Sequence, residues 1–135
     1  MGQRQSYYIG IKGLIKSSEG KVLILKDNST GKWEVPGGRI DQNQAIEEAF
    51  RREMTEELPG SVVKSFGGVV YVSQGDFIVE NEHKLMLLFF IVDIEIPGTV
   101  ELSEEHSKLA WVNQDNVGDY DIYMSDKAAI ESVLS

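Results

Sequence analysis

The sequence predicts an α/β layered domain, and three features carry that prediction. Short apolar stretches with strand character recur along the chain, at 7–16, 21–26, 62–73, 84–94 and 109–112. Between the second and third of these, residues 42–57 place apolar side chains at helical spacing. A second helical pattern starts at Ser125 or Asp126.

The elements follow in order. Residues 7–16 alternate loosely and are rich in Tyr, Ile and Leu, which predicts a strand. Ser17-Ser18-Glu19-Gly20 is a turn, and residues 21–26 are a short apolar strand read as central. Asp27-Asn28-Ser29-Thr30-Gly31-Lys32 is a loop by composition. Pro36-Gly37-Gly38 reads as a glycine turn opening directly into the first helix. Asp41 and Gln44 fit a capping box, in which each side chain satisfies one orphan N–H. Ala45, Ile46, Ala49, Phe50 and Met54 then form one buried face, and Pro59 ends the helix.

Residues 62–73 form a strand with a bulge expected at Gly67-Gly68. Residues 84–94 are almost continuously apolar, as in a strand buried on both faces. The polar link 74–83, with an apolar island at Phe77-Ile78-Val79, predicts a hairpin with a long tip. A short strand at 109–112 precedes the final helix, whose apolar face is Ala128, Ala129, Ile130, Val133 and Leu134. No internal repeat or linker interrupts the pattern, so residues 1–135 are expected to form one domain.

Composition narrows the function. A chain of 135 residues can bury a core without staples, and with no cysteine it has neither disulfides nor thiolate metal sites. No apolar run approaches the ~20 residues that span a bilayer, and no signal-peptide pattern opens the chain. A cytoplasmic protein without a membrane partner is the expectation. Acids outnumber bases 22 to 13, for a net charge of −9. That field repels a nucleic acid polymer. It repels a small polyphosphate as well, unless metal ions stand between the two.

Glu53, Glu56 and Glu57 lie at i, i+3 and i+4 and share one helical strip. At an effective dielectric near 20 each close pair costs about 2–3 kcal/mol. A solvated helix tolerates that, so these acids alone also fit a solvent-facing strip or an interaction surface without metal. The preceding glycines shift the reading. Bare backbone admits a ligand closely, and its carbonyls beside carboxylates form a hard-oxygen set suited to Mg²⁺ or Mn²⁺.

From Gly38 to Gly60 the chain resembles the Nudix box, the signature of the Nudix (MutT-like) hydrolases. That pattern is Gly, five residues, Glu, seven residues, then Arg-Glu-apolar-any-Glu-Glu-any-Gly-apolar. Gly38, Arg52, Glu53, Met54, Glu56 and Glu57 fall in register, and Trp33-Glu34-Val35-Pro36-Gly37-Gly38 matches the usual lead-in. Gln44 stands at the first Glu position, Pro59 at the later Gly and Gly60 at the closing apolar position. The resemblance implies an α/β/α sandwich around a mixed β-sheet. It also implies metal-dependent hydrolysis of a pyrophosphate bond in a nucleoside diphosphate linked to another moiety.

The implied metal ligands are Glu53, Glu57 and the carbonyl of Gly37, with Glu56 bridging or one shell out. Glu105-His106 ahead of Trp111 resembles a further family feature, which makes Glu105 an added acid, with Glu104 in reserve. The general base stays open between Glu53 and Glu105. Arg52 is expected to buttress the glutamates and the turn. Arg39 and Lys26 are phosphate candidates. Asp119 and Asp121 are candidates for a purine edge, with Tyr120 stacking. His83 and His106 read as surface residues, and Trp33 and Phe50 as packing. By elimination among the family's secondary marks, a nucleoside or deoxynucleoside triphosphate is the leading substrate. Nucleotide sugars, dinucleotides and a catalytically lapsed nucleotide-binding module are the alternatives, and the island at Phe77-Ile78-Val79 is a candidate homodimer patch.

Overall fold

A computed structural model describes residues 2–80 and 82–134, the side chains of 76–80 excepted. Among the described residues, seven strands and two α-helices follow one another as β1 (Tyr7–Ile15), β2 (Val22–Asp27), β3 (Trp33–Glu34), β4 (Gly37–Arg39), α1 (Ile46–Glu57), β5 (Val62–Glu80), β6 (His83–Glu95), β7 (His106–Val112) and α2 (Met124–Val133). Four strands form a sheet in the order β4-β1-β6-β5, and three form a second in the order β3-β2-β7. β1 runs parallel to β6, from Tyr7 beside Lys84 to Ile15 beside Val92, while β4 and β5 are antiparallel to their neighbours. The larger sheet is therefore mixed.

Alternation along the strands explains the layering. Leu14, Ile24 and Phe89 join Ala129 and Ile130 of α2 in one buried cluster. Their chain neighbours Ile15, Leu23 and Phe90 join Phe50 and Met54 of α1 in another. Successive strand side chains point to opposite faces, so a helix covers each face and both are apolar. That is why residues 84–94 read as one continuous apolar run. Phe50 occupies space that Gly13 leaves open; a Cβ on Gly13 would lie 2.4 Å from the Phe50 ring. Among the described residues, no helix is long and apolar enough to cross a membrane.

Several expectations need correction. α1 begins at Ile46, four residues late, because Asn43 adopts φ 66° and breaks the helical path. Gln44 does accept the Asp41 N–H at 2.9 Å, but the return half of the capping box is missing: Ala45 is the N-cap, without a side-chain bond. Ala45 and Ile46 are exposed, which leaves Ala49, Phe50 and Met54 as the buried face. The glycine segment is itself a strand, β4, separated from α1 by that turn.

The hairpin has no long tip, since β5 stays paired with β6 until Glu80 lies opposite His83. β5 is the sheet edge and needs backbone partners on one side only, so polar composition hid the strand. A pairing shift between Phe66 and Val69 does fall at Gly67-Gly68. The side chains of Phe77-Ile78-Val79 lie outside the described residues.

Candidate active site

β4, the last turn of α1 and the start of β7 converge on Glu57. Gly37 adopts φ 147°, and a Cβ there would lie 2.0 Å from the Ile11 carbonyl oxygen. Only glycine lets β4 lie this close to β1. In that position the Gly37 N–H donates to Glu57 Oε2 at 3.0 Å. Glu57 is 4 % exposed. Burial pushes its carboxyl up to about 9; Lys12 works against this, and Glu53 and Glu34 add to it.

Ligand atoms of Glu57, Glu105 and His106 all lie within 4.8 Å of one another. Glu105 is exposed, whereas His106 is buried, which corrects its reading as a surface residue. His106 Nε2 lies 3.0 Å from Glu34 Oε2 and 3.9 Å from Glu57 Oε1. His83, half-buried, stacks on Tyr8 with ring centroids 4.7 Å apart.

Glu53 lies beside this trio. Its carboxylate packs on Gly38, where a Cβ would approach it to 2.6 Å. Burial raises its pKa; the hydrogen bond from Arg52 opposes that shift, while Glu56 and Glu105 reinforce it. Arg52 spans Glu53 Oε1 at 3.4 Å and Asp41 Oδ2 at 3.5 Å, tying the helix to the turn before it. Glu56 is exposed and, like Glu53, outside the trio.

Sequence reasoning missed the charges beneath the site. Lys12 of β1 is buried and donates to Glu34 Oε1 at 3.0 Å and to the Val35 carbonyl at 2.9 Å. Burial would lower its pKa, but the carboxylates of Asp126 and Glu34 outweigh burial and raise it. Glu34 is shifted the other way: burial pushes it up, and its bonds to His106 and Lys12 bring it below the usual range. The available signal was a single cation inside the apolar run Ile11-Lys12-Gly13-Leu14, since lysine is rarely buried unpaired.

A cleft of about 970 Å³ adjoins the site, sharing Lys12, Glu34, Gly37 and Gly38 with it. Lys32 and Arg39 line it, with Tyr71, Leu85 and Leu87 from the sheet and Tyr123 and Met124 at the start of α2. Lys26, Asp119 and Asp121 do not. Lys26 is half-buried on β2, Asp119 is exposed in a 3-10 turn, and Asp121 is exposed with its carbonyl accepting the Trp33 N–H. Tyr120 packs edge-on against Trp33, centroids 5.0 Å apart.

Known proteins share this architecture. The profile of the NUDIX domain family matches residues 8–132. The uncharacterized Nudix hydrolase YvcI of Bacillus subtilis is 28% identical over 109 residues, covering 78% of this chain and 66% of the relative. The nucleoside triphosphatase NudI of Escherichia coli is 24% identical over 106 residues, 74% of each chain. A crystal structure of the MutT protein from Methanosarcina mazei Go1 superposes with a TM-score of 0.76 at 23% identity, over 96% of this chain and 94% of that one. Fold and relatives define the class, a hydrolase acting on pyrophosphate bonds. The chain belongs to the NUDIX domain family.

Proposed function

We propose that this chain is a divalent-metal-dependent pyrophosphohydrolase of nucleoside or deoxynucleoside triphosphates. The observation that carries the reading is the approach of Glu57 and Glu105 beside the glycine strand, whose Gly37 and Gly38 also line a cleft with Lys32 and Arg39. The donor set fits a hard cation. Glu57 is a buried acid that burial holds protonated in the bare protein, and an ion would stabilise its charged form. Similarity to a nucleoside triphosphatase favours the triphosphate over the sugar and dinucleotide alternatives.

Glu57, Glu105 and the Gly37 carbonyl would hold Mg²⁺ or Mn²⁺, with Glu53 and Glu56 the candidates for a further ion. When bound, the ion neutralises non-bridging oxygens and lowers the pKa of its water. Arg39, and Lys32 rather than Lys26, would neutralise the outer phosphates. Arg52 holds Glu53 in place, and Glu53, outside the close trio, would accept the proton of the attacking water. The water oxygen bonds to phosphorus, the P–O–P bridge breaks, and nucleoside monophosphate and pyrophosphate leave.

The test is a product-identified hydrolysis panel of nucleoside triphosphates, nucleotide sugars and dinucleotides with Mg²⁺ or Mn²⁺. Pyrophosphate release from triphosphates, abolished in Glu57→Gln, is expected. Nucleotide binding without turnover would point to a lapsed module. Absence of Mn²⁺ binding at millimolar concentration would reduce the acids to a surface feature.

A further inference from the structure

We infer that Asn28, in the loop between β2 and β3, is a positioning residue for Glu105. This rests on the reading of Glu105 as a metal ligand and adds the device that holds it there. The Asn28 backbone N–H donates to the Glu105 carbonyl at 2.8 Å, and its side-chain Nδ2 donates to the Glu104 carbonyl at 2.6 Å. Those carbonyls flank the Glu105 Cα on either side. One residue therefore fixes both peptide planes from which the carboxylate projects.

The loop that carries Asn28 is itself braced. The Asp27 N–H donates to the Lys32 carbonyl at 2.8 Å, and the Gly31 N–H to the Asp27 carbonyl at 2.8 Å. Asp27 Oδ1 accepts the Ser29 N–H at 2.9 Å and the Ser29 hydroxyl at 2.8 Å. Tyr123, the N-cap of α2, reaches across to donate to Asp27 Oδ2 at 3.1 Å, and its hydroxyl lies 2.6 Å from Thr30 Oγ1. A stiff strap, anchored on α2, presses against the acid-bearing turn.

The turn needs such a hold. Glu104 and Glu105 are exposed, and Glu105 is directed toward Glu57 and faces Glu34 across a small open pocket. Before an ion arrives, the Glu34 carboxylate across that pocket repels the Glu105 carboxylate. Main-chain hydrogen bonds, indifferent to that charge, keep the backbone in place, so the ion meets a ligand already positioned. Groups behind metal ligands typically set affinity or activity by about 10–100-fold.

The decisive experiment compares wild type, Asn28→Ala, Glu105→Gln and the double variant. Each is measured for triphosphate turnover with Mg²⁺, for Mn²⁺ affinity by calorimetry, and for amide hydrogen exchange without metal. Asn28→Ala is expected to lower kcat and Mn²⁺ affinity about tenfold with KM for the nucleotide unchanged. Exchange should quicken at residues 104–107, with protection of α1 intact. On the Glu105→Gln background the same change should have no further effect on kcat or Mn²⁺ affinity. Equal losses on both backgrounds, or an unchanged Asn28→Ala, would overturn the inference while leaving Glu105 as a ligand. Wild-type Mn²⁺ affinity and turnover in Glu105→Gln alone would remove Glu105 from the metal and the positioning role with it.

Discussion

Lys12 and Asp126 grip opposite sides of one residue: Lys12 Nζ donates to the Val35 carbonyl, and the Asp126 carboxylate accepts the Val35 N–H. The two charges lie 3.5 Å apart and come from β1 and α2. Between them they fix the peptides on either side of Val35, just ahead of the strand that meets Glu57. The buried charge pair supports the site from below.

Removing the cation should therefore cost more than a surface change. Lys12→Met leaves the nearly inaccessible Asp126 and the partly buried Glu34 without their ammonium. Loss of one partner from a buried pair typically costs about 3–5 kcal/mol. Urea unfolding should show that loss, with part of it recovered in Lys12→Met/Asp126→Asn. A change below ~1 kcal/mol would mean that these charges are solvated.

Glu57 gives the metal-free protein a pH dependence of known sign. Its carboxyl ionises at 4.5 when unperturbed, and burial pushes it up to about 9 in the fold. Between those values the unfolded chain has lost a proton that the folded chain keeps, so stability falls as pH rises. The contribution is complete below about 4.5 and gone once pH passes about 9. Thermal midpoints in EDTA should drop across this window, and Glu57→Gln should flatten the trend. Metal must displace the proton, so Mn²⁺ titrations near neutral pH in buffers of different ionisation enthalpy should report release of about one proton.

The two glycines of β4 should respond differently to the same added methyl. Gly37→Ala puts a Cβ 2.0 Å from a backbone oxygen, so the strand itself must move. Loss of the β1–β4 register and of detectable turnover is expected. In Gly38→Ala the clash at 2.6 Å is with the Glu53 carboxylate, the end of a flexible side chain. That variant should fold with a near-normal thermal midpoint while kcat falls by about 10²-fold from displacement of the acid.

Phe50→Ala offers a control on the fold alone. Phe50, on the buried face of α1, is 0 % exposed and clusters with Met54 and Phe90. A cost of about 3–5 kcal/mol is expected by calorimetry, with kcat of the remaining folded fraction preserved.

What the sequence revealed and concealed follows from burial. Phe50, Met54 and the run through Phe89 and Phe90 were legible because each sits in a core cluster and repeats at the period of its element. The polar end of β5 was not, because an edge strand needs backbone partners on one side only. Asn43 delays the start of the expected helix by a dihedral that composition does not announce. Glu105 was a candidate through its place ahead of Trp111, and the fold sets its carboxylate near Glu57. Lys12, Glu34 and Asp126 were not candidates, because a buried charge looks like a surface one until its partners are placed, and these come from β1, β3 and α2.

The parallel pairing of β1 with β6 has a consequence for how the molecule comes into being. Tyr7 meets Lys84 only after most of the polypeptide exists, and contacts so distant along the chain slow folding to about milliseconds or longer. Gly37 takes its register from β1, and Glu57 accepts the Gly37 N–H, so this contact waits on the sheet. Recovery of turnover after dilution from denaturant should keep pace with the slowest refolding phase seen by tryptophan fluorescence. An enzyme assembled this way is silent until its sheet closes.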